Sequence, residues 1–232
     1  MNKQLSLRKS AVFLLIILVS YLIISPVKWF VADIYYRTPF NVVKNWQIAS
    51  QDSQEVDWGN SNRRFLKALE FDANNPESLM MAGLSYEGQY AFKETGFAKA
   101  EKGRKLALNF YRNSVHLRPA WPYGWIDLAL VKYRLGELDE EFYKSILHAS
   151  ELGSWEPGVQ KVIIEIGLHG WSKFDSKTQE LVLKTIRKAV IHADKKHVKA
   201  MIMLLKKYGI FYYACLSNKD NLYLAKRCKR FM

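Results

Sequence analysis

The feature that most limits what this chain can become is Ala11 to Val27, AVFLLIILVSYLIISPV, seventeen residues without a charge. A helix rises about 1.5 Å per residue, so it needs about 20 residues to cross a bilayer, with about 17 tolerated. Lys28 interrupts the run, and WFVA carries it on to Ala32. The Lys28 stem is long enough to reach the headgroups, and Trp29, Phe30, Tyr35 and Tyr36 make an interfacial belt. A cleaved signal peptide would share the basic start of Lys3, Arg8 and Lys9. Its apolar core would be shorter, however, and Phe30-Val31-Ala32 puts a bulky residue where cleavage wants a small one. Residues 1–37 therefore read as an uncleaved membrane anchor with its flanks.

Charge leans toward a cytoplasmic N-terminus and an exported domain. Lys3, Arg8, Lys9 and the terminal amine lie on one side, against Lys28, Arg37 and Lys44 on the other. Cys215 and Cys228 are the only cysteines. Such a close pair in an exported domain reads as a disulfide tying down the tail, the alternative being two unrelated buried thiols. Without further Cys or well-placed His it is no zinc site.

After Pro39 apolar residues recur at three- and four-residue spacing, and no alternating strand run stands out, so the chain reads as all-α. In FLKALEFDANNPESLMMAGLSYEG, Phe65 and Ala68 precede an Asp72–Pro76 turn, and Leu79, Ala82, Gly83 and Tyr86 follow. This large–small–small–aromatic order matches the tetratricopeptide pattern. Gly83 leaves a notch for a bulky partner, and Pro76 in a first turn loses no needed hydrogen bond. The order recurs with Ala107, Tyr111 and Ser114, then RPAWP, then Trp125, Leu128 and Ala129, with Leu135-Gly136 as the turn. Pro76 and Pro122 are 46 residues apart, against a usual period of about 34. The surplus of about twelve falls around Gly88 to Gly103, between paired helices. A weaker unit starts at Trp46 and Ala49. Helices are predicted over 138–151, 156–170, 176–193 and 195–208, making a right-handed stack of about eight. The expected architecture is a single N-terminal transmembrane helix plus a tetratricopeptide-like hairpin stack over 38–170.

The net charge of +13 is concentrated at one end. Residues 38–170 carry fifteen basic and seventeen acidic side chains, whereas 171–232 carry fifteen against four. This last segment reads as basic C-terminal helices, suited to an acidic polysaccharide or anionic lipid. No nucleic-acid-binding signature accompanies it.

RPAWPYGWIDLALVK (Arg118 to Lys132), LGELDEEF and LGSWEPGVQ (Leu152 to Gln160) go beyond a generic repeat. With the anchor and the chain's size, they resemble VpsP-type polysaccharide biosynthesis proteins. The resemblance is densest over 105–172 and fades over 173–232. It implies a single-pass protein of the bacterial inner membrane with a periplasmic domain, working beside glycosyltransferases, a polymerase or a chain-length regulator. The family carries no defined chemical activity, so the resemblance transfers no catalytic residue.

Nothing in the sequence itself points to catalysis or a cofactor. His192 and His197, around Asp194, are five apart, about 140° around a helix, which is poor metal geometry. Asp139, Glu140 and Glu141 sit at a predicted helix start, where acids complement the positive end. Glu156 likewise reads as a helix start, with Ser154 as cap. No nucleophile elbow, phosphate loop or dinucleotide fingerprint occurs. Trp125 falls where repeats pack a core ring, and Trp171 joins it in the aromatic set. Trp121 and Trp155 lie at turns, where the ring either packs structurally or is free to stack on a sugar. Lys184, Arg187 and Lys188 share a helical face, joined by Lys195, Lys196, Lys199, Lys206 and Lys207. Lys219, Lys226, Arg227, Lys229 and Arg230 form a basic tail. The sequence therefore reads as a non-enzymatic scaffold for polysaccharide assembly, or alternatively as a glycan-binding module using the basic end.

Overall fold

In the computed structural model, residues 2–48, 57–89, 97–192, 199, 202–203, 205–212, 215 and 228 are described. All regular structure among them is helical. The chain divides into two compact units, Met1–Phe110 and Tyr111–Met232. These boundaries differ from the composition breaks after residues 37 and 170. The N-terminal helix continues into the first core, and the basic helix after residue 170 shares the second core.

In the first unit, α1 is a single helix, Asn2–Ile48. Residues 12–30 all expose their side chains, nearly all of them apolar. Val12–Asn41 is the one stretch among the described residues long and apolar enough to cross a membrane. Beyond Phe30 the pattern changes. Ala32 and Val43 are buried, and Tyr36 and Phe40 pack on the same core. Their spacing of four, four and three makes one helical stripe. The helix thus leaves its apolar span and becomes the first layer of a folded unit. It does so through two internal prolines, Pro26 and Pro39, each of which removes one backbone donor. Near Pro39, Arg64 donates to the Ile34 carbonyl (3.1 Å) and the Thr38 hydroxyl (3.2 Å).

Helix α2 (Trp58–Phe71) begins where Asp57 accepts the Asn60 N–H at 2.9 Å, satisfying one of the orphan donors of a first turn. Helix α3 (Pro76–Gln89) begins after Asn75, whose side chain accepts the Ser78 N–H at 3.0 Å. Pro76 is therefore in the first turn, as its chemistry requires. Trp58, Phe65, Met81, Ala82 and Val43 form the core. Ala68, Leu79 and Gly83 are buried beside them. The two helices approach closely at Gly88, where an added Cβ would lie 2.5 Å from the Trp58 ring. Tyr86 stacks on Phe110 with centroids 5.6 Å apart.

Helix α4 (Phe97–Leu117) crosses the unit boundary. Much of the extra sequence between Gly88 and Gly103 is therefore helix, lengthening α4 to 21 residues; residues 90–96 lie outside the described residues. The weak unit placed at Trp46 and Ala49 does not begin a new element. Trp46 continues α1, and Ala49 lies outside the described residues.

In the second unit, α5 (Pro122–Leu135), α6 (Glu140–Leu152), α7 (Pro157–Gly170) and α8 (Ser176–His192) follow through short turns. Each end is specified locally. Gly136, at φ 77°, gives α5 a left-handed cap. Asp139 caps α6 by accepting the Phe142 N–H at 3.0 Å. Asp175 does the same for α8 through Thr178 at 2.9 Å. Ser154 does not cap α7. Glu156 precedes Pro157 in extended backbone with no side-chain cap, and the Ser154 carbonyl instead accepts Gln160 Nε2 at 2.8 Å. Proline already removes one orphan donor at that end, so a capping hydroxyl is less needed.

Helix α5 packs on α6 and α7, and α6 packs on α7 and α8. Such neighbour and next-neighbour packing is what stacked hairpins produce. The core runs through Phe142, Ile146, Ile163, Val182 and Ile186, and Ile202, Leu205 and Ile210 from the tail join it. Ala107, Tyr111, Ser114, Leu128 and Ala129 are all buried. Trp125 is half-buried, and its Nε1 donates to the Pro119 carbonyl at 2.7 Å.

Candidate functional site

The second unit carries a groove of about 310 Å³ framed by α6, the start of α7 and α8. Its construction follows from the register of α8. Lys177, Leu181, Lys184 and Lys188 are spaced four, three and four residues apart, so they form one stripe. Leu181 packs on the core, while Lys177 and Lys184 are exposed. The opposite wall comes from the end of α6 and its turn, through Ser150, Glu151 and Ser154. Buried Gln160 closes the base, held by its bond to the Ser154 carbonyl. Glu180 also faces in, so three lysines meet two glutamates.

Trp155 stands beside this groove, next to Ser154 in the turn between α6 and α7. Its side chain is 61% exposed, and the Lys188 ammonium lies 5.5 Å from its ring centroid. A cation over an indole face is mutually favourable, so Lys188 is steered toward the groove mouth. The groove thus combines ammonium groups, hydroxyls, an amide and a broad exposed ring.

The structure brings together only part of the predicted contact set. Lys184, Lys188 and Trp155 converge. Arg187 is exposed but lies outside the groove lining. Trp121 is also elsewhere: the Arg118 guanidinium lies 4.7 Å over its ring, and it tilts against Tyr123. Lys199 is helical and exposed. Lys195, Lys196, Asp194, His197, Lys219, Lys226, Arg227, Lys229 and Arg230 lie outside the described residues, as does the His192 side chain. Lys177 was not singled out by sequence, although it stands seven residues before Lys184 on the same face.

A second polar cluster was also missed. Lys132, on α5, is 1% exposed along its side chain, and its Nζ meets three carboxylates. It donates to Glu137 at 3.0 Å and to Asp139 at 2.9 Å, and it pairs with Glu141 at 2.8 Å. Arg112 then grips Glu141 with Nε and Nη2 at 2.8 and 2.6 Å. Burial works against the charge on Lys132, but the bonds from Glu141, Asp139 and Glu137 raise its pKa nonetheless. The Arg112 bond is the main reason that the Glu141 carboxyl is lowered to about 2, with Lys132 adding to it against burial. Asp139 is also lowered, its bonds to Lys132 and the Phe142 N–H outweighing burial. The acids at this helix start therefore complement a buried lysine as well as the helix end. All three are engaged by cations, an arrangement that locks α5 to α6 rather than poising a proton for transfer.

Elsewhere Tyr208 bonds His169 Nε2 at 2.8 Å, while His169 Nδ1 contacts the Glu165 carbonyl at 2.8 Å. A carbonyl only accepts, so Nδ1 donates to it, and in the neutral imidazole Nε2 accepts from the Tyr208 hydroxyl. This bond fixes the start of the tail to α7. Further along, Cys215 and Cys228 are joined as a disulfide with Cα atoms 5.8 Å apart. Among the described residues no three His, Cys, Asp or Glu side chains converge as a metal-holding group. A scan against protein-family models gives no match, and neither does a search of curated proteins.

Proposed function

We propose that this chain is a single-pass scaffold of the bacterial inner membrane, holding partner proteins of a polysaccharide-assembly complex on its periplasmic helical stack. The observation that carries the reading is the continuity of α1. A span with exposed apolar side chains passes without a break into a helix that packs against α2 and α3. Such a joint holds a folded module at a defined place on the bilayer, which a flexible linker would not do. Stacked hairpins then offer extended surface to a partner. The tetratricopeptide-like order of Phe65 to Ala129 and the VpsP-type segments at Arg118 to Lys132 and Leu152 to Gln160 supply the proposed context. The disulfide suits an oxidising compartment and so a periplasmic stack.

The test is crosslinking of the full-length chain in native membranes, followed by identification of captured proteins. Envelope glycosyltransferase, polymerase or chain-length-control components should be recovered. Recovery of unrelated proteins alone would overturn the proposal.

A further inference from the structure

We infer that the groove between α6 and α8 is a binding site for an acidic saccharide, with Lys177, Lys184 and Lys188 taking its carboxylates and Trp155 its ring face. The inference is independent of the scaffold reading, because it concerns a site within the second unit alone.

Each feature of the groove removes some ligand classes. Three lysines on one stripe of α8 favour an anion. Two glutamates in the same lining oppose a dense anion such as a phosphate cluster, yet they accept hydroxyl hydrogens well. Ser150, Ser154, Thr185 and Gln160 add neutral polar groups. The Trp155 ring, 61% exposed at the mouth, presents a flat apolar face. A uronic-acid-type sugar offers the matching set: a carboxylate for ammonium groups, several hydroxyls for carboxylates and amides, and an apolar C–H face for an indole. An anionic lipid headgroup would use the lysines but leave the glutamates opposed. An acidic peptide would do the same and add more like charge.

Size agrees with this choice. The volume of about 310 Å³ is at the small end of ligand clefts, which run about 300–1,000 Å³. The groove therefore holds a short stretch of a polymer rather than a whole oligomer. Four of its five charged groups, Glu151, Lys177, Glu180 and Lys184, are exposed, so affinity is modest and depends strongly on salt. Lys188 has a special place, because its ammonium already lies over one face of the Trp155 ring, 5.5 Å from the centroid, which leaves the other face for a sugar.

The test is titration of the full-length chain in nanodiscs of neutral lipid with oligogalacturonate, followed by tryptophan fluorescence and calorimetry. Dextran of equal length, a poly-glutamate peptide and phosphatidylglycerol vesicles serve as comparisons. Oligogalacturonate is expected to bind in preference to all three, and to weaken about tenfold between low and physiological salt. Lys184→Gln and Lys188→Gln should each weaken it about three- to fivefold, and Trp155→Ala by a similar factor at unchanged melting temperature. Lys199→Gln, outside the groove, should change nothing. Equal binding of dextran would overturn the inference, as would undiminished binding by the double variant Lys184→Gln/Lys188→Gln. Preference for the vesicles or the peptide would reassign the groove to lipid or protein.

Discussion

Lys132 shows how one side chain can hold two helices together. A lysine that is 1% exposed would ordinarily lose its charge or destabilise the fold. Here its ammonium is met by Glu137, Asp139 and Glu141, which are all part-exposed and keep some of their own hydration. The desolvation cost therefore falls mainly on one group, and three bonds oppose it. Lys132→Met is expected to destabilise the second unit by about 2 kcal/mol, because it leaves three like charges close together; denaturant titration checks this. The pH dependence follows from Glu141. Its folded pKa of about 2 lies below its ordinary 4.5, so the stabilisation is fully present above 4.5. It is lost as pH falls from 4.5 toward 2. In a series of melts, Glu141→Gln should be less stable than the parent near neutrality and flatter across that acid window. An unchanged acid slope would show that Glu141 is not the group responsible. Gly88 makes a steric version of the same argument. Its missing side chain leaves room for Trp58, which is 5% exposed. Gly88→Ala would place a carbon 2.5 Å from ring atoms and should cost the first unit about 1–3 kcal/mol, read from its melting temperature.

At the scale of elements, punctuation made the later helices legible. The expected segments 138–151, 156–170 and 176–193 differ by a residue or two from Glu140–Leu152, Pro157–Gly170 and Ser176–His192. Asp139, Pro157 and Asp175 state those starts chemically, through capping or a tolerated missing donor. Pro39 is punctuation of another kind, because it lies inside a helix. A proline normally ends a helix, yet α1 continues through it to Ile48. Tertiary packing of Phe40 and Val43 on Trp58 and Phe65 overrides the local cost. The groove was half legible. Lys184 and Lys188 follow from spacing, but the partnership of Lys188 with Trp155 joins residues distant in sequence. The Lys132 cluster was harder still, since each of its acids already has a local explanation at a helix start. The α1 joint gives a prediction of its own. Val43 is 0% exposed, so Val43→Asp should bury a carboxylate among Trp58, Phe65 and Met81. The chain should remain membrane-bound, because the span is untouched, while protease cleavage near residue 43 increases. Unaltered cleavage would mean that this contact does not hold the joint.

For the whole molecule, the disulfide links the tail to the second core. Ile202, Leu205, Ile210 and Phe211 share one buried cluster with residues of α5 to α8, and Cys215 and Cys228 are buried in it too. The bond spans a sequence separation of 13, a loop whose closure stabilises a fold by about 3 kcal/mol in the chain-entropy view. The tail also brings much of the basic excess, whose self-repulsion opposes compact packing. Crosslink and burial therefore act together, one limiting the unfolded chain and the other offsetting charge repulsion. Cys215→Ser/Cys228→Ser should lower the melting temperature of the second unit, and low salt should enlarge the difference because unscreened lysines and arginines repel more strongly. The first unit should melt unchanged, since its core of Val43, Trp58, Phe65, Met81 and Ala82 contains no cysteine. A loss shared equally by both units would show that the tail stabilises more than the core on which it lies. No loss at all would show that burial of Ile202, Leu205 and Ile210 holds the tail without the crosslink.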